Sequence, residues 1–298
     1  MKESKITCFG EVLWDVFPTH KTIGGAPLNV ALRLKSFGNN VSIISKVGKD
    51  KLGDLLLEFI KEKGLETKSI QIDPELKTGK VDVNLDENGS ASYTIMYPRA
   101  WDNIVLTELD IALVESSDAF IFGSLIGRNS QSLNTLTELL EHAIYKVFDV
   151  NLRPPHYTKE LLIELMTRAD FIKFNDDELL EISAYLGSPL ESIEQNISYV
   201  SKKTNTQHIC VTQGKHGAVL FYEDEFYYNS GYSANVVNTV GAGDSFLATI
   251  INYLLKDEKP QNAIDYACAV GALVTQNDGA TPEITRNEIK SMINQKAI

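Results

Sequence analysis

Short apolar runs alternate with segments of helical periodicity along most of the chain. Apolar runs of about four to eight residues predict buried strands, and longer segments with apolar residues three or four positions apart predict helices. The predicted strands are 5–9, 41–47, 119–123, 145–150, 171–174, 209–212 and 218–221. The predicted helices are 27–37, 51–64, 132–143, 245–256 and 263–276. This order predicts an α/β fold: a mostly parallel sheet with helices on both faces, which binds ligands at the carboxyl ends of its strands.

A different pattern occupies residues 81–97. Apolar and polar residues alternate over 81–85 and again over 93–97, and the turn-forming sequence Asp-Glu-Asn-Gly-Ser lies between them. The pattern predicts an antiparallel hairpin with one half-exposed face, which is either an extension of the sheet or a lid. No internal repeat, low-complexity tract or linker interrupts the chain. We therefore expect one domain over 1–298 with a small β insertion.

Composition narrows the classes of function. The 298 residues include 28 Lys and Arg against 40 Asp and Glu, for a net charge of −12. Such a balance does not suit a protein that binds nucleic-acid phosphates or an anionic membrane. The strongest apolar stretch, 246–255, is too short to span a bilayer, and the N-terminus leads into no long apolar segment. Three cysteines cannot form a paired framework, so we expect free thiols and a cytoplasmic location.

The most informative segment is Asn-Thr-Val-Gly-Ala-Gly-Asp-Ser-Phe at 238–246. The small turn Gly241, Ala242 and Gly243 leads into a strongly apolar helix, whose free N–H groups and dipole favour a bound anion. Small residues let a phosphate approach these amides, and Gly243 is a candidate for a glycine-only backbone. Asp244 would lie beside the anion, where a carboxylate can take the proton of a hydroxyl that attacks phosphorus. The alternative is a glycine-rich turn with Asp244 as a helix N-terminal charge; the whole segment favours the functional interpretation.

A second glycine-rich segment, Gly-Gly-Ala-Pro-Leu-Asn, occupies 24–29. Gly25 allows close backbone approach to a ligand, and Asn29 in the following helix can hydrogen-bond a polyol. The alternative is a plain loop with proline at a helix start. The chain has neither a Walker A sequence nor a dinucleotide-binding glycine motif after its first strand.

Together these segments resemble the PfkB-type (ribokinase-like) carbohydrate kinase family over essentially the whole chain. The 24–29 segment and the opening Cys-Phe-Gly-Glu-x-x-x-Asp at 8–15 are most similar to the fructokinase branch. The resemblance implies a parallel α/β domain with a β lid from about 11–24 and 80–104. It also implies transfer of the ATP γ-phosphate to a sugar hydroxyl. Fructose is the expected acceptor, with ribose, 2-keto-3-deoxygluconate, adenosine, or a non-catalytic sugar-binding regulator as alternatives.

The resemblance also implies roles for individual residues. Asp244 would be the catalytic base, and the backbone of Gly241, Ala242 and Gly243 would form the anion hole. The remaining implied residues are Asp15, Gly25 and Asn29 on the sugar, Arg153 near the phosphates, Thr212, Gly214 and Gly217 in the nucleotide turn, and Asn277 in a late loop beside the adenine and a monovalent cation. The chain departs from the family pattern at Asn238, where the usual residue is Asp, so strong K⁺ activation is in doubt.

Three further groups of residues have two interpretations each. Asn175 and Glu178 match the family's Asn-x-x-Glu, linked to Mg²⁺ largely through water, but the same spacing is a capping box. Residues 99–102 either close over the sugar or pack on the core. Arg33 and Lys35 are predicted to lie on a solvated helix face. The sequence leaves open whether the chain forms a homodimer.

Overall fold

The structure is a computed structural model that describes residues 3–85 and 91–295. The predicted turn at 86–90 lies outside the described residues. The strands are β1 Lys5–Phe9, β2 Leu13–Val16, β3 Lys21–Gly24, β4 Asn40–Gly48, β5 Ile70–Asp73, β6 Gly79–Leu85, β7 Ala91–Ile95, β8 Ala119–Gly123, β9 Lys146–Asp149, β10 Phe171–Asn175, β11 His208–Thr212, β12 Ala218–Tyr222 and β13 Glu225–Asn229. The helices are α1 Ala26–Ser36, α2 Lys51–Glu62, α3 Glu108–Glu115, α4 Ser130–His142, α5 Lys159–Arg168, α6 Asp176–Tyr185, α7 Ile193–Thr204, α8 Ala242–Leu254, α9 Pro260–Thr275 and α10 Arg286–Asn294.

The large sheet is mostly parallel. Its order is β13-β12-β11-β10-β9-β8-β1-β4-β5, and all neighbours from β11 to β5 are parallel. β12 pairs antiparallel with β11, and the edge strand β13 pairs antiparallel with β12. Each parallel step needs a crossover, and helices supply most of them, which places the strand ends and the helix N-termini at one edge of the sheet.

Helices cover both faces of this sheet. In β1, Cys8 belongs to one apolar core with Leu28 of α1 and Phe246 of α8. The next residue, Phe9, belongs to a second core with Leu136 of α4. Successive side chains of a strand point to opposite faces, so the two cores are the two sides of one sheet. The predicted α/β class is confirmed.

Strands β2, β3, β6 and β7 form a second, smaller sheet in the order β3-β2-β6-β7. β6 and β7 pair antiparallel, so the predicted hairpin is present, and β2 pairs parallel with β6. A small apolar cluster of Leu13, Val81 and Val83 packs within it. These strands fall inside the segments predicted to form a lid, and the movement of the sheet stays a prediction.

The helix α1 is buried more deeply than predicted. Arg33 is only 2% exposed. Its Nε donates to Ser245 Oγ at 3.2 Å and its Nη2 donates to the Pro282 carbonyl at 2.8 Å. Burial lowers the pKa of Arg33 to about 10. The prediction of a solvated face was wrong for this residue, because α8 packs on the side of α1 that a surface helix leaves to water.

Trp101 and Asp102 belong to the core beneath the hairpin and are fully buried. Arg128 binds the Asp102 carboxylate with Nε and Nη2 at 2.6 and 2.7 Å. Its guanidinium also lies 3.9 Å from the centre of the Trp101 ring. Core packing is therefore the correct interpretation of these two residues. No helix in the described part of the chain is long and apolar enough to cross a membrane.

The Asp102–Arg128 pair gives a stability prediction. Asp102→Asn leaves a buried guanidinium without its anion, which costs about 3–5 kcal/mol of the free energy of unfolding. Glu66→Gln is the control, because the Lys68–Glu66 pair is 76% and 72% exposed and such pairs contribute little. Urea unfolding measures both variants. Equal losses would contradict the assignment of Asp102 to the core.

Candidate active site

The first turns of α1 and α8 meet above the carboxyl ends of the parallel strands. Asn29 Nδ2 donates to Asp244 Oδ2 at 2.7 Å and so links segments 215 residues apart. On the sheet side, a Cβ placed on Gly243 would lie 3.4 Å from the Nζ of Lys173 in β10. The two glycine-rich segments identified from the sequence therefore face one common site.

Asp244 has an environment suited to proton transfer. Desolvation by burial and the Asp149 carboxylate raise the pKa of Asp244 to about 6. The hydrogen bond from Asn29 and the positive charges of Lys173 and Arg153 oppose this rise. The carboxylate is thus ionised at neutral pH, and its proton affinity is higher than that of an ordinary aspartate.

Gly241 shapes the turn that opens α8. Its φ of 77° is left-handed, and a Cβ there would overlap the backbone of Ala280. Gly243 lies within the helix without such a φ, so the glycine-only position is Gly241 and not Gly243. The Ala242 N–H donates to the Thr239 carbonyl at 3.2 Å. The amides of Gly243 and Asp244, as first-turn N–H groups without intrahelical acceptors, remain for an anion. We call residues 241–244 the anion cradle.

The N-terminus of α1 is built in a similar way. Gly25 caps the helix with φ 113°, and a Cβ there would overlap the Glu11 carbonyl. A Cβ on Gly24 would meet the carboxylate of Asp15. Burial raises the pKa of Asp15 to about 6, against the opposing charge of Arg153. The two glycines therefore let the helix start lie directly against β2 and the Asp15 carboxylate.

Glu11 is a site residue to which the sequence assigned no role. It is 4% exposed, and within the described residues its Oε2 has no hydrogen-bond partner. Burial raises the pKa of Glu11 to about 7; Arg153 lowers it and Asp244 raises it. Its place in the fructokinase-like opening segment was the only available signal.

Arg153 is the countercharge shared by these carboxylates. It follows β9 on an exposed loop, and its charge lowers the pKa values of Glu11, Asp15 and Asp244. The loop is fixed to α6, because the Leu152 N–H donates to Glu178 Oε1 at 2.9 Å. The closeness of Arg153 to the phosphates stays a prediction.

Asn175 and Glu178 form the capping box of α6. The Glu178 N–H donates to Asn175 Oδ1 at 2.7 Å, and the Asn175 N–H donates to Glu178 Oε2 at 2.8 Å. Both carboxylate oxygens of Glu178 thus already accept backbone hydrogen bonds. Over residues 3–85 and 91–295, no group of three or more His, Cys, Asp or Glu side chains could hold a metal ion. The residues fit Mg²⁺ only through its water shell, which this ion retains readily.

The predicted nucleotide-turn residues follow β11. Thr212 pairs in register with Asn175 at the strand ends. Gly214 and Gly217 have φ values of 55° and 86° and form a tight turn, in which the Gln213 N–H donates to the Gly217 carbonyl. Asn277 lies after α9 and donates to the Leu273 carbonyl. Thr212, Gly214 and Gly217 thus lie at the end of β11 and in the turn after it, Asn277 follows α9, and their contact with a nucleotide stays a prediction.

Comparison with known proteins agrees with this geometry. The pfkB family carbohydrate kinase model matches residues 1–286. The chain belongs to the pfkB family of carbohydrate kinases. It is 27% identical over 322 residues to fructokinase-2 of Oryza sativa subsp. japonica, covering 98% of this chain and 94% of that protein.

Solved structures give the same result. An uncharacterised sugar kinase of Pyrococcus horikoshii in complex with ATP is 27% identical, with a TM-score of 0.83 over 97% of this chain and 99% of that one. A putative ribokinase II from E. coli is 21% identical with a TM-score of 0.86, covering 98% and 100%, and shows the shared fold. The family and the ribokinase-like fold predicted from the sequence are confirmed. As a pfkB carbohydrate kinase, the protein is a phosphotransferase that acts on a sugar hydroxyl.

Lys173 and Asp149 are further charged residues of the kinase site. Their side chains form a buried pair at 2.9 Å. Lys173 lies inside the apolar run Phe-Ile-Lys-Phe, which predicts a strand. A lysine in the middle of a predicted buried strand was the signal that could have identified it, because such a lysine needs a partner.

The two glycines of the anion cradle should respond differently to substitution. Gly241→Ala forces a left-handed φ, which alone costs about 1–2 kcal/mol, and adds the overlap with Ala280. Gly243→Ala should unfold at nearly the wild-type urea concentration, because its backbone is helical and its new Cβ meets only the end of a lysine. Urea unfolding compares the two. A larger loss for Gly243→Ala would show that the strained position has been misassigned.

Proposed function

We propose that this carbohydrate kinase is an ATP-dependent fructokinase, which transfers the γ-phosphate of ATP to a hydroxyl of fructose. The observation that carries the proposal is Asp244, held by Asn29 in the first turn of α8 with its carboxylate beside free amide groups. A base next to an anion-binding turn is the arrangement that phosphoryl transfer to a hydroxyl requires.

The identity of both substrates draws on the relatives. The rice relative is named a fructokinase, and the Pyrococcus structure contains ATP. The local chemistry supports a polyol: Asp15 and Asn29 offer a carboxylate and an amide at the same site. A site built to hydrogen-bond hydroxyl groups rejects molecules that leave those groups unpaired.

In the proposed mechanism, Asp15, the Gly25 backbone and Asn29 orient the sugar, and Arg153 balances the negative charge of the site. Asp244 accepts the proton of the attacking hydroxyl. The N–H groups of the anion cradle donate to the phosphoryl oxygens as charge develops. Because these donors belong to a helix start fixed by packing, they need little rearrangement when the reaction occurs.

The nucleotide would lie along the turn of Thr212, Gly214 and Gly217, with Asn277 near the base. Mg²⁺ bound with the nucleotide would neutralise phosphate charge. Asn175 and Glu178 would hold its water shell. Asn238 is a neutral residue whose Oδ1 accepts the Val240 N–H at 3.0 Å. A neutral amide attracts a cation less than a carboxylate does, so we propose only weak dependence on K⁺.

The small sheet would act as the lid of a single domain. β2 contributes Asp15, and β3 ends at Gly24 immediately before the cap of α1. A movement of this sheet toward α8 would cover the sugar and exclude water, which suppresses hydrolysis of ATP.

Asp244→Asn should lower kcat about 10²–10⁴-fold, the usual effect of removing a general base. In the wild type, kcat/KM should fall as the pH drops below about 6, because protonation removes the base. Above that pH the carboxylate is ionised and the rate should level off. Asp54→Asn, an exposed first-turn aspartate of α2, is the matched control and should leave both rate and profile unchanged. Near wild-type turnover in the Asp244 variant would refute its role.

A panel of acceptors tests the substrate. We expect kcat/KM for fructose to exceed that for ribose, 2-keto-3-deoxygluconate and adenosine in a coupled ADP-release assay. Asp15→Ala should raise KM for fructose far more than KM for ATP, while Asp82→Ala in the neighbouring strand β6 serves as control. If another compound proved a better acceptor than fructose, the fructokinase proposal would be wrong, but the assignment to the carbohydrate kinases would be unaffected.

A further inference from the structure

A buried ion pair lies beneath the anion cradle. Lys173 and Asp149 are register partners on β10 and β9. Lys173 Nζ lies 2.9 Å from Asp149 Oδ1, and the two side chains are 8% and 5% exposed. Within the described residues, the ammonium group of Lys173 donates one hydrogen bond, to Asp149. An ammonium group has three N–H donors, so further donors remain on Nζ.

The pair faces α8. Val147 and Phe171, two positions before Asp149 and Lys173, belong to the same core as Phe246 of α8. Side chains two residues apart on a strand share a face. The ammonium group reaches the start of that helix, because a Cβ on Gly243 would lie 3.4 Å from Lys173 Nζ. The charge therefore lies beside the backbone of Gly243, on the side where a side chain would be.

The start of α8 disfavours a cation, so the charge of Lys173 depends on the carboxylates around it. The N-terminus of a helix carries positive partial charge, so a lysine there is repelled by the dipole. Asp149 binds the ammonium group through Oδ1 only, since its Oδ2 is buried and lacks a hydrogen-bond partner in the part of the chain that the structure describes. An anion bound in the cradle would be attracted by the helix and by the ammonium together.

A second buried lysine–aspartate pair provides a comparison in which both carboxylate oxygens accept hydrogen bonds. Lys46 Nζ lies 3.0 Å from Asp73 Oδ2, with side chains 8% and 3% exposed. Asp73 also accepts hydrogen bonds from Asn103 and from the N–H groups of Glu75 and Leu76, and Lys46 donates to the Asn103 carbonyl. Asp73 thus uses both carboxylate oxygens to fix a loop, whereas the Asp149 carboxylate uses one.

We propose that Lys173, held by Asp149, is a positioning residue for phosphoryl transfer: its ammonium group fixes a positive charge under Gly243 that favours the transferred phosphoryl group in the anion cradle. The proposal rests on the kinase reaction at Asp244 but not on the identity of the sugar. Burial opposes the charge of Lys173, but Asp149, Glu178 and Asp244 outweigh it and raise the pKa of the ammonium. The group therefore stays charged throughout the working range of pH.

The test compares Lys173→Met, Lys173→Arg and the matched control Lys46→Met. Lys173→Met should lower kcat about 10²–10³-fold, the range found when one donor to a developing oxyanion is removed. Lys173→Arg should restore part of the loss by returning the charge. Lys46→Met should lower the unfolding temperature as much as Lys173→Met while leaving kcat nearly unchanged. Equal effects of the two methionine variants on kcat would overturn the proposal.

A binding measurement makes the test independent of the sugar. Titration calorimetry gives the affinities for a non-hydrolysable ATP analogue and for ADP. Lys173→Met should reduce the preference for the analogue, because the γ-phosphate loses the charge beneath the cradle. An unchanged ratio in folded protein would refute the proposal. If the wild type phosphorylated no sugar, the proposed function would fail, but this ratio would still decide the role of Lys173.

The pH profile of Asp149→Asn supplies a third readout. The charged groups that face Asp244 are Asp149, Lys173, Arg153 and Glu11. Removing the Asp149 charge should lower the pKa of Asp244 and move the acid limb of kcat/KM to lower pH. Glu178 and Asp244 also favour the charged form of Lys173. Asp149→Asn should in addition reduce the preference for the ATP analogue over ADP, because the ammonium group loses the hydrogen bond that holds it under Gly243. An unchanged preference would count against the proposal even if Lys173→Met failed to fold.

Discussion

The hydrogen bond from Asn29 to Asp244 is the contact on which the site depends. It joins the first turns of α1 and α8, which reach it from opposite ends of the chain. Arg33 reinforces the same interface one turn further along, since it bonds both Ser245 and the Pro282 carbonyl. Pro282 follows Ala280, whose backbone lies against Gly241. The two helix starts and the late loop are therefore fixed as one unit before any substrate is bound.

The site gathers more carboxylates than its positive charges can fully stabilise. Burial raises the pKa values of Glu11, Asp15 and Asp244 to about 7, 6 and 6, and Arg153 opposes all three rises. Burying these carboxylates close together lowers the free energy of unfolding. The result is a set of carboxylates with pKa values near 7. Groups with such pKa values can exchange protons with a hydroxyl at physiological pH.

The sequence predicts secondary-structure elements most accurately where burial in the sheet alone determines the pattern of residues. The strand 5–9 coincides with β1, because every residue after Lys5 is buried in the sheet. Helices α5, α7 and α10 were missed because polar residues dilute their apolar positions, and α3 was missed because its eight residues are too few to show a helical period. Arg33 was misassigned for a tertiary reason: its periodicity places it opposite the sheet, but another helix covers that side. Asp244 and its glycines could be recognised because a local segment contains their chemistry, whereas Lys173 acquires a role only from Gly243, seventy residues later.

The capping box of Asn175 and Glu178 does more than start α6. Glu178 caps α6 with one oxygen and with the other accepts the Leu152 N–H, next to Arg153. A residue in the first turn of α6 thus also fixes the loop after β9. Parallel strands end side by side, so any group that organises one strand end can reach the next. In this fold the helix caps at the carboxyl edge are therefore part of the scaffold of the site, and the interactions that stabilise them also place its charges.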